Sequence, residues 1–505
     1  MMNKKTSWLL TFSLFLIAST GGTMPYLSKP TSGARTQVKP QGASTIEERI
    51  RRIEEGLLPP FIVKGQANAR MTLAERMKHY NTPGISVAVI NDGRVEWSKG
   101  YGVREAGGGG AVTAETLFQA ASVSKPVAAV AALRLVQVGK LRLDEDVNQK
   151  LVSWKVPGNE LTREQEVTLR GLLSHSAGLT VHGFGGYARD ALVPTPVQIL
   201  DGVKPANSAA IKVDIRPGTK FRYSGGGYTV TQQLLEDVTG KPFPQLMKES
   251  VLEKVGMTNS TFEQPLPGGR WRRAAVGHRP DGEEVKGNWH TYPEMAAAGL
   301  WTTPSDLARF AVEVQKSLAG KSRKVLSQEM TKQMLTPQIG GWGLGFALAG
   351  EGASARFSHG GSNEGYRCLL VAYKNTGQGA VVMTNSDKGA GLAEEVLRSI
   401  AKEYGWTDYL PREKLLATID PKVYGAYVGQ YEFAPNLILT VTAEEGKLTA
   451  QAKGLSKLEL FPESETQFFL LAVAAEIAFI KDDKGQVTHL ILRQDGQETK
   501  ARKIK

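Results

Sequence analysis

The sequence predicts a mixed α/β protein built from a large unit of helices and strands and a smaller all-β domain after it. A hairpin pattern at 84–103 and two strand patterns at 366–384 are separated by a long stretch of helical patterns. Beyond residue 424 the pattern changes to short alternating segments divided by turns, as in a small barrel or sandwich. A chain of 505 residues is long enough for both parts.

The elements of the larger unit follow in order, and we assign 47–408 to this unit. A linker at 409–423 and the β domain at 424–505 complete the chain. Turn residues at 91–93 connect the two strands of the hairpin. The remaining patterns predict helices at 47–58, 122–139, 229–239, 244–255, 304–317 and 390–404, and strands at 84–90, 95–103, 366–373 and 379–384.

Composition is that of a globular protein, with 41% hydrophobic and 22% charged residues. Lys and Arg number 62 against 50 Asp and Glu, which gives a net charge of +12 and favours anionic surroundings such as cell-wall polymers or phospholipid headgroups. The charges are scattered, without a long basic run or a basic–aromatic motif. We therefore expect no nucleic-acid partner and interpret the surplus as a solvated surface.

The N-terminus has the pattern of a secretory signal peptide. Lys4 and Lys5 precede an apolar stretch at 8–18, which small residues follow. We expect a signal peptide at 1–24, a flexible leader at 25–46, and an exported protein in the periplasm or outside the cell. The apolar stretch is shorter than the roughly 20 residues of a membrane-spanning helix, so no transmembrane span is expected. A retained N-terminal anchor is the alternative.

Cys368 is the single cysteine of the chain. One thiol cannot form an internal disulfide or a cysteine-based metal site. Its apolar neighbours predict a buried strand and a structural role. We expect neither a metal nor an organic cofactor.

Ser122 and Lys125 have the residue types and the spacing that nucleophilic acyl transfer needs. That chemistry requires a hydroxyl, a base for its proton and donors for an oxyanion. Positions i and i+3 share one face of a helix, so the amine can reach the hydroxyl. Burial among the Ala and Val residues that follow would lower the proton affinity of Lys125 and leave a neutral amine that can act as base.

The same Ser-x-x-Lys spacing recurs at Ser399 and Lys402, so the spacing alone does not identify the nucleophile. Ser122 stands at the start of an apolar helix, where free backbone N–H groups and the helix dipole favour an anionic intermediate. Ser399 lies within a helix that we expect to be solvated. These contexts favour Ser122.

The segment 118–125 resembles the first motif of class C β-lactamases and of the related penicillin-binding esterases and D-aminopeptidases. Further segments resemble motifs of this serine hydrolase family and follow in its order, at 172–179, 217–225, 298–308 and 359–361. The resemblance spans about 48–405. Residues 424–505 resemble the lipocalin-like β domain appended to some peptidase-type members.

The resemblance implies a transpeptidase-like fold, in which an antiparallel sheet flanked by helices meets a helical subdomain at the active site. It implies that Ser122 attacks and that Lys125 accepts its proton. Tyr223 would share the proton transfer and protonate the leaving group, and His359 would line the site. The backbone N–H groups of Ser122 and Ser362 would form the oxyanion hole, and His175 would brace the fold.

Two departures from the family pattern bear on the substrate. Gly225 stands where relatives have an Asn whose carboxamide would bind substrate amides, and His359 replaces a Lys suited to a substrate carboxylate. We therefore predict a hydrolase that forms an acyl-enzyme on an ester, amide or peptide, cell-wall-derived peptides included, as an esterase or D-aminopeptidase does. The alternatives are a true β-lactamase or DD-carboxypeptidase, and a penicillin-binding sensor without turnover. The sequence leaves the oligomeric state open.

Overall fold

A computed structural model describes residues 44–66, 71–435, 437–452, 457–471, 473–494 and 497–505. The predicted signal peptide and most of the predicted leader lie outside these residues. The described chain forms two compact units. The larger unit contains the described residues of 44–59 and 71–411, and the barrel unit contains those of 60–66 and 412–505.

The α-helices of the described chain all belong to the larger unit. Their bounds are α1 Ile46–Glu54, α2 Leu73–His79, α3 Ser124–Gln137, α4 Glu160–Glu164, α5 Leu169–Leu173, α6 Pro196–Asp201, α7 Gly225–Thr239, α8 Phe243–Met247, α9 Glu253–Val255, α10 Met295–Ala298, α11 Pro304–Leu318, α12 Gln328–Met334 and α13 Gly389–Glu403. No helix in the described ranges is long and apolar enough to cross a membrane.

The strands are divided between the two units. The larger unit contains β2 Gly84–Asn91, β3 Arg94–Gly102, β4 Phe118–Gln119, β5 Trp301–Thr302, β6 Ala347–Ala349, β7 Arg356–Asn363, β8 Tyr366–Tyr373 and β9 Gly379–Thr384. The barrel unit contains β1 Phe61–Val63, β10 Arg412–Lys414, β11 Gly429–Ala434, β12 Leu437–Glu444, β13 Lys447–Ala452, β14 Leu458–Pro462, β15 Gln467–Leu470, β16 Ala475–Lys481, β17 Val487–Gln494 and β18 Gln497–Lys503.

An antiparallel sheet in the order β3-β2-β9-β8-β7-β6 is the centre of the larger unit, as the described residues define it. Alternation along its strands sends successive side chains to opposite faces. Ile85 and Val87 pack into a core that includes residues of α13, whereas Ala88 and Ile90 join the core that contains α3, α7 and α11. The expected antiparallel sheet between helices is confirmed.

The long apolar helix begins later than the sequence pattern predicts. Residues Ala121–Val123 form a 3₁₀ turn, and α3 starts at Ser124. Pro126 still falls in the first turn of α3, where its missing N–H costs no helical hydrogen bond. Ten consecutive residues of α3, from Ser124 to Leu133, are buried, which accounts for the near absence of charge in this stretch.

The expectation that helix 390–404 is solvated at Ser399 is wrong. One face of α13 packs into the core beneath the sheet, and Ser399 lies on that face, buried, while Lys402 is exposed. The Ser399 hydroxyl donates to the backbone oxygen of Glu395 at 2.9 Å. The second Ser-x-x-Lys pair is therefore divided between the interior and the surface.

The barrel unit is a closed barrel of the strands β11 to β18, as far as the described residues trace it. Each strand pairs antiparallel with the next, and β11 pairs with β18 to close the ring. Aromatic side chains fill its core, with Tyr427 stacked on Phe479 at 4.5 Å between ring centroids. Of the two arrangements that the sequence pattern allowed, the barrel is the one formed.

Candidate active site

Ser122 lies in the turn that joins a strand to the apolar helix. The short strand β4 leads into Ala121, whose φ of 50° is in the left-handed region that residues with a side chain rarely adopt. Strained backbone of this kind concentrates at functional sites, where the surrounding structure holds it. The bend leaves Ser122 half-buried at the start of α3, between the buried residues Ala121 and Val123.

Lys125 meets Ser122 across the first turn of α3. Its Nζ donates to Ser122 Oγ at 3.0 Å and to the backbone oxygen of Ala297 at 2.8 Å. The side chain is almost fully enclosed, with 2% of its surface exposed. Burial disfavours the ammonium form and lowers the pKa of Lys125 to about 7. A large share of the amine is thus neutral at neutral pH.

Tyr223 is the second polar group at the Ser122 hydroxyl. The Ser122 hydroxyl is close enough to act on the pKa of Tyr223, and the Lys125 Nζ lies 5.0 Å from the centre of the tyrosine ring. Burial raises the pKa of Tyr223, so the phenol stays protonated at neutral pH. Its ring stacks on His175 at 4.2 Å between centroids. The structure therefore brings Ser122, Lys125 and Tyr223 together.

His359 lies on β7, beside Tyr223 but enclosed. The two ring centroids are 6.2 Å apart, and only 3% of His359 is exposed. Nδ1 lies 2.6 Å from the backbone oxygen of Gly360, so this nitrogen carries the proton and donates it. Burial, and then the positive charge of Lys125, lower the pKa of His359 to about 3. The imidazole is neutral, and its buried Nε2 has no partner among the described groups.

Two residues of the site were not predicted from the sequence. The backbone oxygen of Ala297, at the end of α10, holds the Lys125 amine, and Trp342 packs edge-on against His359 at 5.5 Å. Trp342 also contacts Tyr223 and His175. A lone aromatic among glycines in a loop gives no periodic pattern that would have identified it.

His175, which was predicted to brace the fold, accepts a hydrogen bond at Nδ1 from the Ser224 N–H, at 3.1 Å.

The backbone of Ser362 faces the open side of β7. Lys374 N–H donates to the Ala355 oxygen at 2.7 Å, and these two residues continue the β7–β8 register by one position beyond the pair Arg356 and Tyr373. Along an antiparallel pair of strands, residues alternately direct their backbone N–H and C=O groups toward the partner strand and away from it. Ala355 directs its oxygen toward β8, so Gly360 and Ser362, an odd number of residues further on, direct their N–H groups away from β8. The strand β6 pairs with β7 only up to Ser358, which leaves the edge at Ser362 open. Ser362 is exposed.

Gly361 brings this edge close to the turn that holds Ser122. A Cβ atom at Gly361 would lie 2.2 Å from the backbone oxygen of Ala120. A glycine is therefore required for β7 to approach the 3₁₀ turn this closely.

The described residues contain no group of three or more His, Cys, Asp or Glu side chains that could hold a metal ion. Cys368 is buried in β8, as its apolar neighbours predicted, and burial raises the pKa of its thiol.

Residues 69–404 match the family model described as β-lactamase. The chain belongs to the β-lactamase family. Residues 414–503, within the barrel unit, match a domain of unknown function, DUF3471. Most of the chain is thus covered by known sequence families, and the larger unit carries the fold of a family of serine hydrolases.

Curated relatives and a solved structure agree with this assignment. The chain is 24% identical to penicillin-binding protein 4* of Bacillus subtilis, over 86% of this chain and 98% of that protein. It is 26% identical to penicillin-binding protein 4 of Amycolatopsis lactamdurans, over 65% of this chain and 87% of that one. The structure of an octameric penicillin-binding protein homologue from Pyrococcus abyssi matches with a TM-score of 0.59 at 24% identity, over 85% of this chain and 98% of that chain. At this identity the structural match concerns the fold.

Proposed function

We propose that this protein is a serine hydrolase that forms an acyl-enzyme at Ser122 on an ester, amide or peptide. One observation carries the proposal: a buried lysine, with a pKa of about 7, lies 3.0 Å from a half-buried serine hydroxyl. A buried lysine at neutral pH is a proton acceptor, and the nearest hydroxyl becomes a nucleophile.

The reaction follows from the positions of these groups. As Ser122 Oγ bonds to the substrate carbonyl carbon, its proton passes to the neutral Lys125 amine. The carbonyl oxygen becomes an oxyanion between the N–H groups of Ser122 and Ser362. Collapse breaks the bond to the leaving group, which takes a proton from Tyr223, and the Lys125 ammonium returns one to Tyr223. Water then attacks the acyl-enzyme, releases the acid and restores the Ser122 hydroxyl.

The site favours substrates without a negative charge beside the reacting carbonyl. His359 is neutral at working pH, and Gly225 offers no carboxamide. A neutral ester or an aminoacyl amide loses little when His359 replaces a lysine, whereas an ionised carboxylate would lack a permanent cation as partner. We include export in the proposal, because Lys4 and Lys5 and the apolar stretch after them have the pattern of a signal peptide.

Labelling with a fluorophosphonate tests the nucleophile. Ser122→Ala is expected to abolish both labelling and ester hydrolysis, because among the described residues Ser122 has the one hydroxyl to which Lys125 Nζ donates. Ser399→Ala is the matched control, since it removes the serine of the other Ser-x-x-Lys pair, and it is expected to leave both unchanged. Labelling that survives in Ser122→Ala would overturn the assignment.

Turnover separates the enzyme from a penicillin-binding sensor. With a nitrophenyl ester, an enzyme gives steady release after any burst. A stoichiometric burst with no steady phase would show that the acyl-enzyme persists, and it would support the sensor instead.

A further inference from the structure

The loop 180–186 is tied over the N-terminus of α7. The N–H groups of Gly225 and Gly226 donate to the backbone oxygens of His182 and Val181, each at 3.0 Å. The Ser224 hydroxyl donates to the Thr180 oxygen at 2.8 Å. Helix N–H groups that would otherwise lack an intrahelical partner thus hold the loop in one place.

Glycines in the first turn of α7 make this contact possible. A Cβ at Gly225 would lie 3.0 Å from the oxygen of His182 and 3.1 Å from Cε2 of Phe184. A Cβ at Gly226 would lie 2.7 Å from the oxygen of Thr180. The ring of Phe184 therefore takes the space into which a side chain at position 225 would extend.

Val181 has a backbone conformation that is intrinsically unfavourable, so contacts with the rest of the protein must hold the loop. Its φ of 63° lies in the left-handed region, which a β-branched residue strongly disfavours. Such a conformation persists only where the surrounding contacts fix it, and at binding sites it serves to place neighbouring side chains. The side chains placed here are those of His182 and Phe184.

His182 lies beside Tyr223, and Phe184 lies against Gly225, two residues further along the chain. The ring of His182 is 4.9 Å from the ring of Tyr223, and the centre of that ring is 5.0 Å from Lys125 Nζ, which donates to Ser122 Oγ. His182 is exposed and Phe184 is half-buried, so both can be reached from solvent. Although part of His182 is exposed, neighbouring groups partly desolvate its ring, and this desolvation, followed by the charge of Lys125, lowers the pKa of His182 and favours the neutral imidazole.

We propose that Phe184, with the ring of His182, forms an apolar subsite for the acyl group of the substrate, which is an aromatic or branched aliphatic acid in ester or amide linkage. This inference rests on the proposed acyl-enzyme function. A phenyl or branched alkyl group gains contact with the Phe184 ring. A polar amide there would lose its hydrogen bonds to water and find no partner on a phenyl ring.

Two esters with one leaving group test the subsite. We expect kcat/KM of the wild-type protein for p-nitrophenyl phenylacetate to exceed that for p-nitrophenyl acetate by at least about tenfold, the scale of discrimination by hydrophobic pockets. Phe184→Ala is expected to lower kcat/KM for the phenylacetate by about tenfold or more and to change that for the acetate by less than about threefold. Phe433→Ala, at a half-buried aromatic of the barrel unit, is the matched control.

Two further measurements distinguish failure of the proposed subsite from failure of the proposed acyl-enzyme function. Phe184→Leu keeps apolar bulk and is expected to retain the preference, which decides the matter if Phe184→Ala does not fold. Fluorophosphonate labelling of Ser122 reports the proposed function separately. A protein that is labelled but shows no acyl preference, or a Phe184→Ala variant that slows both esters equally, would overturn the subsite alone. Absence of labelling would overturn the proposed function itself.

Discussion

At the scale of single residues, the proposed chemistry depends on the burial of one amine. Lys125 is enclosed, and the group that its Nζ contacts besides Ser122 is a neutral backbone oxygen, that of Ala297. A carboxylate partner would have raised its pKa, whereas desolvation alone lowers it to about 7. The same hydrogen bond then serves as the path for the proton of Ser122.

Lys125→Arg is expected to reduce kcat for ester hydrolysis by at least about a hundredfold, the lower range of general-base contributions. A guanidinium keeps the charge but does not become a neutral base at ordinary pH. In the wild-type protein the amine must be deprotonated to accept a proton, so kcat/KM is expected to rise with pH through about 7 and to fall below it. Initial rates from pH 5 to 9 measure both effects.

Ser399→Ala serves as the control for the pH profile and is expected to keep the rise near pH 7. Near-normal activity of Lys125→Arg would contradict the role of Lys125, and it would leave Tyr223 or His359 as the group that carries the proton.

Sequence reasoning could predict the candidate residues whose relations are local. Ser122 and Lys125 are one helical turn apart, and the apolar stretch after them distinguishes this pair from Ser399 and Lys402, whereas Tyr223 was predicted from a segment that resembles a family motif. Trp342 contacts Tyr223, and Phe184 lies against Gly225, through loops whose positions depend on contacts distant in sequence. Such contacts leave no local pattern in the sequence.

At the scale of elements, the site depends on how closely β7 approaches the 3₁₀ turn before α3. The backbone of Gly361 meets that of Ala120 with no room for a side chain. The open edge of β7 at Ser362 and the turn at Ser122 are thereby held side by side. The proposed oxyanion hole needs both N–H groups at that separation.

Gly361→Ala is expected to lower kcat/KM for p-nitrophenyl butyrate by about a hundredfold or more, the loss typical of a missing oxyanion donor. The added methyl group would overlap the Ala120 oxygen and push β7 away from Ser122. Steady-state rates measure the loss, and circular dichroism confirms that the protein is folded.

Gly269→Ala is the matched control, because a Cβ at Gly269 meets nothing within 4 Å. It is expected to retain full activity. A fully active Gly361→Ala would show that the approach of β7 does not shape the site.

The predictability of the elements varied with the clarity of their periodic pattern. The strands predicted at 366–373 and 379–384 match β8 and β9 to the residue, because their apolar runs end at clear turns. The helix predicted from 229 begins instead at Gly225. Consecutive glycines weaken a helical pattern, but here the Ser224 hydroxyl caps the helix by accepting the Gly227 N–H.

At the scale of the whole molecule, the main part of the barrel unit begins at Arg412, within the stretch 409–423 predicted as a linker. Closure into a barrel could not be derived from the sequence, since it needs the pairing of β11 with β18. The strand β1 pairs with β10, so residues 60–66 group with the barrel unit although they precede the larger unit's sheet in sequence. The lipocalin-like character of this unit stays a prediction.

The charge of the molecule and that of its proposed site differ in a way that bears on substrate choice. The net charge of +12 is a property of the whole chain. Of the ionisable groups around Ser122, Lys125 has a pKa lowered to about 7 and His359 one lowered to about 3. At pH 7.5 His359 is neutral, and most of the Lys125 amine is neutral as well. The proposed site therefore has little positive charge with which to attract an anion, although the chain as a whole is positively charged.

Nitrocefin carries an ionised carboxylate next to its reactive ring, and p-nitrophenyl butyrate carries no charge. We therefore expect kcat/KM at pH 7.5 for the ester to exceed that for nitrocefin by more than about tenfold, or about 1.4 kcal/mol of transition-state stabilisation. Spectrophotometric rates for both substrates, corrected with Ser122→Ala as the inactive control, measure the ratio. Faster hydrolysis of nitrocefin than of every ester and amide tested would contradict the esterase or amidase assignment and favour a true β-lactamase, in which another cation holds the carboxylate.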